Sequence, residues 1–316
     1  MDAGSLFNPI QHHYSRMICQ GFLPSLSLRP FIKDYQLRYF TFTDKTGPTY
    51  KPYAPRPEQT LAFFPRGYEQ VEYVDSGQFI NRPPSALIGQ QIGRINRHLQ
   101  GEEFCTILVN LHPGVLHRFV GIPFHELTNT FIDAEAIFPP EIRRVNQRLS
   151  SVQQPTEMIA VIDAYLLHLF KSMKNDTHPI ELVANRLIEY PEDSSMLQLA
   201  ASSCFSVRQF ERRFKERMGV SPKFFTRVAR LTKAFGMKYN QPTLDWLSVA
   251  LYCGYYDYQH LAKDFVELAG RTPKAYLLED ATQAPERQLG LQDSSLTGEK
   301  VAFLPLTQAQ SVSSLG

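Results

Sequence analysis

Apolar positions are most regularly spaced between residues 195 and 280, where they fall at helical intervals. Phe210, Phe214 and Met218 recur at i, i+4 and i+8, which makes one stripe along a helix over residues 206–218. Ser206 stands where a hydroxyl caps the first turn, and Gly219 where a helix stops. Residues 195–202 predict a short helix just before it, with a tight turn between. A second set follows: a short helix over 244–252, the turn Cys253-Gly254-Tyr255-Tyr256, Asp257 as N-cap, and a helix over 258–269. Between the two sets, Phe225, Val228, Leu231 and Phe235 share one side of a long helix.

Upstream the period changes. Short aromatic and β-branched runs at 59–65, 69–75 and 103–111, with turn signals at Arg66-Gly67 and Asp75-Ser76-Gly77, read as strands. A further aromatic β-prone run lies within 28–43, and another strand pair is expected around 85–93 and 96–100. Strands this short and evenly spaced predict a small barrel or sandwich rather than a parallel sheet. His112-Pro113-Gly114 turns the chain into a short helix, and helices follow over 140–149 and 155–170; Thr177 is placed to cap another from Pro179. The predicted fold class is therefore α+β. Residues 1–150 form a β-rich domain, 151–178 a helical linker and candidate dimerisation region, and 179–280 an all-α domain of two units joined by a long helix. Residues 281–316 are a mostly flexible tail, and residues 1–20 read as loosely held. VAFLPL at 301–306 is too apolar for an idle tail and is expected to dock as an edge strand or on an apolar patch.

The two helical units repeat. Displaced by 51 positions, Phe210 falls on Leu261, Arg212 on Lys263, Phe214 on Phe265 and Gly219 on Gly270, while Ser221-Pro222 falls on Thr272-Pro273. A short helix, a tight turn and a helix with one apolar stripe form a helix-turn-helix, whose second helix enters the major groove. Charge agrees. The chain carries a net charge of only +2, yet residues 206–238 hold ten Lys and Arg against Glu211 and Glu216. That local surplus suits a polyanion whose phosphates supply much of the affinity. At the start of each second helix, on the face away from the stripe, Arg208, Glu211 and Arg212, and then Tyr258, Gln259, Ala262 and Lys263, are the candidates for base contacts. Arginine and lysine suit guanine, glutamine adenine, a carboxylate cytosine and an alanine methyl the thymine methyl. Arg213, Lys215, Arg227, His260 and Lys274 are the candidates for phosphate.

Residues 195–278 resemble the double helix-turn-helix domain of AraC/XylS-type transcription regulators. The matching segments are LAASSCFSVRQFERRFKERMGVSPKFF and SVALYCGYYDYQHLAKDFVELAGRTPKAY. Cys204 departs from the pattern where many relatives carry a turn glycine, so a tilted turn is expected there. TILVNLHPGVLHRFVGIPFHELTN resembles, more loosely, the sensor domains of a subset of these regulators. The resemblance implies promoter DNA as partner, read in two adjacent major-groove sites. It further implies a homodimer, with RNA polymerase and an unidentified small-molecule effector as other candidate partners. In relatives, helices like 155–170 form a dimer seam; the other reading is that they cover one end of the barrel. A regulator with no effector, controlled by its own abundance, is the alternative.

Other chemistry finds little support. Cys19, Cys105, Cys204 and Cys253 are far apart, which fits neither a disulfide framework nor a zinc site and suits a reducing cytoplasm. Histidines 12, 13, 98, 112, 117 and 125 include no metal-binding pair at helical or strand spacing. No nucleophile elbow, P-loop or dinucleotide fingerprint occurs, so no enzyme activity, cofactor or metal is expected. An alkyl-accepting repair fusion would need an activated cysteine, and neither Cys19 nor Cys105 has that setting. No apolar run reaches the length of a membrane span, and no signal peptide is recognisable.

Overall fold

The computed structural model describes residues 14–42, 50–171, 173, 177–192, 195–282 and 304–305. Its strands join in one sheet: β1 (Tyr14–Leu23), β2 (Ile32–Phe42), β3 (Tyr50–Tyr53), β4 (Gln59–Tyr73), β5 (Gln78–Asn81), β6 (Ser85–Ile88), β7 (Ile95–Leu111), β8 (Phe131–Asp133) and β9 (Leu304–Pro305). The order is β8-β6-β4-β7-β2-β1-β9, with β3 against β7 and β5 against β4. Every pairing is antiparallel except that of β9 with β1. The helices are α1 (Val115–Val120), α2 (Ala134–Ile137), α3 (Glu141–Ser151), α4 (Pro155–Phe170), α5 (Pro179–Glu189), α6 (Met196–Ser202), α7 (Val207–Met218), α8 (Pro222–Asn240), α9 (Trp246–Tyr252), α10 (Tyr258–Ala269) and α11 (Pro273–Thr282).

The α+β reading holds, with differences in the strands. Residues 59–75 and 96–111, each expected as two strands, form the single long strands β4 and β7. The turn signal Arg66-Gly67 lies inside β4, at a register shift between Phe63 and Tyr68. Gly67 has φ +73°, and a Cβ there would stand 2.5 Å from the Glu103 carbonyl oxygen. Gly101, at φ +114°, faces it from β7. Two left-handed glycines opposite one another bend both strands together, so the pair serves two parts of the sheet without breaking. The loosely held reading of residues 1–20 fails from Tyr14 onward, because β1 has β2 as a hydrogen-bonding partner. Within the apolar 301–306 stretch, Leu304 and Pro305 pair with Phe22 and Leu23 as an edge strand; the rest of the tail beyond α11 lies outside the described residues.

Helix α4 belongs to the β domain. Met158, Ile159, Ile162, Leu166 and Phe170 are buried in the same cluster as Phe22, Tyr35, Leu61, Ile107 and Val109 from the sheet and Ile142 and Leu149 from α3. Asp163 on α4 accepts from Tyr35 Oη at 2.7 Å and from the Ser25 amide at 3.1 Å. The apolar stripe of α4 covers the sheet. His178, rather than Thr177, caps α5, its Nδ1 accepting from the Ile180 amide at 3.2 Å. Among the described residues no helix is long and apolar enough to cross a membrane.

Candidate nucleic-acid interface

Each unit is built by local hydrogen bonds that the sequence encodes. Ser206 Oγ accepts from the Gln209 amide at 3.3 Å, and Gln209 Oε1 accepts from the Ser206 amide at 3.2 Å, a reciprocal cap that fixes the start of α7. Asp257 Oδ1 accepts from the His260 amide at 2.9 Å and does the same for α10. Gly219 and Gly270 end the two helices in left-handed conformations. The turns ahead of α7 and α10 have the same backbone hydrogen bonds; in each the last is donated to the helix before it, by the Phe205 amide to the Ala200 oxygen and by the Tyr255 amide to the Ala250 oxygen, both at 3.0 Å. Cys204 has φ +59° where Gly254 has φ +75°. Cys204 thus takes a left-handed conformation that strains a residue with a side chain.

The apolar stripes are buried as expected, and the opposite faces are open. Phe210, Phe214 and Met218 pack with Leu199 and Ala200 in one cluster, and Leu261 and Phe265 with Val249 and Ala250 in another. Arg208, Glu211 and Arg212 on α7, and Tyr258, Gln259 and Lys263 on α10, are exposed; Ala262 is half-buried. Lys215, His260 and Lys274 are exposed as well. His260 Nδ1 lies 2.9 Å from Asp257 Oδ1. Arg213 is half-buried and lies over the Phe205 ring at 4.9 Å.

Arg227 departs from its expected place at a phosphate. Its Nε donates to Asp264 Oδ1 at 2.9 Å, and its Nη2 to Asp264 and to Glu267. The two carboxylates are three residues apart on α10, hence on one face turned toward α8, and they neutralise the guanidinium. Lys223 is the counterpart that sequence reasoning left out. It is exposed at the start of α8, 51 positions before Lys274 at the start of α11, so the repeat itself points to it.

Helix α8 holds the units in fixed relation. Phe225 belongs to the first unit's cluster, while Val228, Leu231, Ala234 and Phe235 belong to the second's. Its 19 residues span about 28 Å, comparable to one turn of DNA. Lys233 Nζ donates to Glu192 Oε2 at 2.9 Å and Arg230 Nε to the Pro191 oxygen at 3.2 Å, tying the first unit to the same helix.

The β domain reaches both units. Thr128 Oγ1 donates to the oxygen of Gly219, the stop residue of α7, at 2.8 Å, and Gln59 Nε2 to the Arg217 oxygen at 3.2 Å. Buried Glu181 on α5 pairs with Arg217 at 2.9 Å and with Arg118 of the β domain at 3.4 Å; burial holds its carboxyl above the usual range against both cations. On the second unit, Arg94, immediately before β7, grips Glu279 of α11 through two nitrogens, at 2.8 and 2.5 Å. Tyr276 Oη accepts from the Ala54 amide at 3.2 Å. Elsewhere, burial pushes the Cys105 thiol up to about 12, so it is not a thiolate at neutral pH.

Residues 199–279 match the model of a helix-turn-helix domain, and residues 20–133 match that of a domain of unknown function, DUF6597. No curated protein matches the chain. Among solved structures the chain is similar to ToxT from Vibrio cholerae, at 9% identity and a TM-score of 0.46, over 77% of this chain and 98% of that one. The similarity to the same protein bound to an unsaturated fatty acid has a TM-score of 0.42 at 9% identity, over 84% and 96% of the two chains. The DNA-binding domain of the transcriptional factor AdpA, in complex with a target DNA, is similar at 26% identity and a TM-score of 0.32, over 35% of this chain and 99% of that one.

Proposed function

We propose that this chain, a DNA-binding transcription regulator with an AraC-type helix-turn-helix domain over residues 199–279, reads promoter DNA with α7 and α10 and is controlled through its β domain. One observation carries the reading: two capped helices, each with a buried stripe and an exposed polar face, are joined by the single rigid helix α8. Arg208, Glu211 and Arg212, with Tyr258, Gln259, Ala262 and Lys263, are the proposed base readers. Lys215, Lys223, His260 and Lys274 are proposed for phosphate, with Arg213 beside them; Arg227 is withdrawn because two carboxylates already hold it. Control through the β domain is supported by the contacts of Thr128 and Gln59 with the end of α7. An effector acts by favouring one arrangement of the reading helices over another, to the extent that it binds the two with different affinity.

Selection of random-sequence DNA by the full chain at two salt concentrations tests this reading. The expected result is an enriched motif of two short blocks about one helical turn apart. Salt-sensitive binding with no enriched motif would reduce the basic face to a phosphate grip and end the regulator reading.

A further inference from the structure

The connection between β6 and β7 meets α7 and α10 where each of them ends. Gln90 stands two residues after β6 and Arg94 one residue before β7, and both are buried. Gln90 Cβ would stand 3.3 Å from a methyl placed on Gly219, the stop residue of α7. Arg94 Cδ would stand 3.3 Å from a methyl placed on Gly270, the stop residue of α10. Glycine at both stops therefore lets one short segment, residues 90–94, lie against the ends of both helices.

Each end of that segment is anchored. The Gln90 oxygen accepts from the Asn129 amide at 2.8 Å, and Gln90 Nε2 donates to the Arg56 oxygen at 2.7 Å. Thr128, next to Asn129, donates to the Gly219 oxygen. At the other end, Arg94 holds Glu279 and also donates to Asn96 Oδ1 from Nε and Nη2, at 3.1 and 2.9 Å. Tyr50 Oη donates to Glu279 Oε1 at 3.2 Å, and Tyr276 Oη to the Pro52 oxygen at 3.3 Å. Ala54, just after β3, is buried in the second unit's own cluster. Strands β6 and β7 both pair with β4, so the grips on the two units belong to one sheet.

A small shift at these ends becomes a large one at the opposite ends. Both α7 and α10 have 12 residues and so are about 18 Å long. A tilt of about 10° at the stop glycine moves the first turn by about 3 Å, close to one base-pair step. Four Cα intervals span at most about 14 Å, so residues 90–94 keep the two pivots at a short separation. We propose that the β domain, through residues 90–94, sets the spacing between the two DNA blocks that α7 and α10 read, so that spacing is not fixed by α8 alone. This role rests on the proposed reading by α7 and α10 and needs no effector.

The test starts from the two blocks enriched by selection, rebuilt in duplexes with one base pair added or removed between them. Binding of the full chain to each duplex is measured. The wild type should bind the selected spacing at least about tenfold tighter than either neighbour. Arg94→Gln with Tyr276→Phe removes the ion pair and the hydroxyl but keeps an aromatic ring against Phe235 and Phe265. That double variant should reduce the preference to about threefold or less. Uniform weakening at all three spacings, with the preference kept, would assign the spacing to α8 and overturn the proposal. So would a wild type that binds the three spacings alike. Should the double variant fail to melt cooperatively, Gln90→Ala with Thr128→Val loosens the grip on α7 instead and is judged by the same ratio. Absence of any enriched pair of blocks would end the reading by α7 and α10, and the spacing role with it. An enriched pair whose spacing preference survives in the variants ends only the role of residues 90–94.

Discussion

Arg212 and Lys274 are both exposed basic residues of the helical domain, but their positions give them different expected effects on DNA binding. Arg212 lies on the exposed face of α7, nearly two turns in from the cap. Arg212→Ala should cost about 1–3 kcal/mol at the selected site and relax the preference at one base pair. Equal weakening on every sequence would remove it from the base readers. Lys223→Ala and Lys274→Ala should weaken all sequences alike, each lowering the slope of log affinity against log salt by about 1. Cys204 offers a test of stability at the same scale. A side chain at φ +59° carries strain of about 1 kcal/mol or more. Cys204→Gly should therefore raise the thermal midpoint by about 2–4 °C. The converse change, Gly254→Ala, should lower it, since a Cβ there would come within 2.7 Å of Glu192 Cβ. The sequence exposes Cys204 as the odd residue of its turn, but only the conformation shows that its φ is positive.

At the scale of elements, the helices were legible because period and caps lie within a few residues of each other. Residues 206–218, 258–269 and 155–170 come out within a residue or so of α7, α10 and α4. Strand limits in β4 and β7 were not legible, because Arg66-Gly67 reads as a turn unless the opposing Gly101 is known to bend with it. Arg227 misled for a related reason: whether a basic residue meets phosphate or carboxylate depends on a helix some forty residues away. Arg227→Ala should destabilise the helical domain by about 1–3 kcal/mol, since it leaves the largely buried Asp264 unpaired, and should leave the salt slope unchanged. A lower slope would return Arg227 to the phosphate contacts. Gly219→Ala should also destabilise, through its φ of +86° and through a methyl 3.2 Å from the Phe124 oxygen.

Across the whole molecule, the two domains are joined at both helical units, and the Arg94–Glu279 pair at the second should make that contact sensitive to pH. Burial alone would raise the Glu279 carboxyl, but the Arg94 guanidinium outweighs it and holds the group below the usual carboxylate range. A depressed carboxylate contributes stability that is present above its unfolded value of about 4.3 and is lost as pH falls through its lower folded value. The wild type should therefore melt above Glu279→Gln at pH 7, and the gap should close below about pH 4. A gap independent of pH would mean that the pair is held by shape rather than charge.

The sequence by itself determined the secondary structure of the helical domain, its internal repeat and the polar faces of α7 and α10. Each of these depends on residues close together along the chain, or on a pattern repeated at a fixed displacement. Only the tertiary structure decided that α4 covers the sheet, that Arg227 is neutralised and that the β domain grips the end of α7 through Thr128. Periodicity records which face of an element is buried; the partner it is buried against, and the charge that partner carries, are set by contacts between segments far apart in the chain.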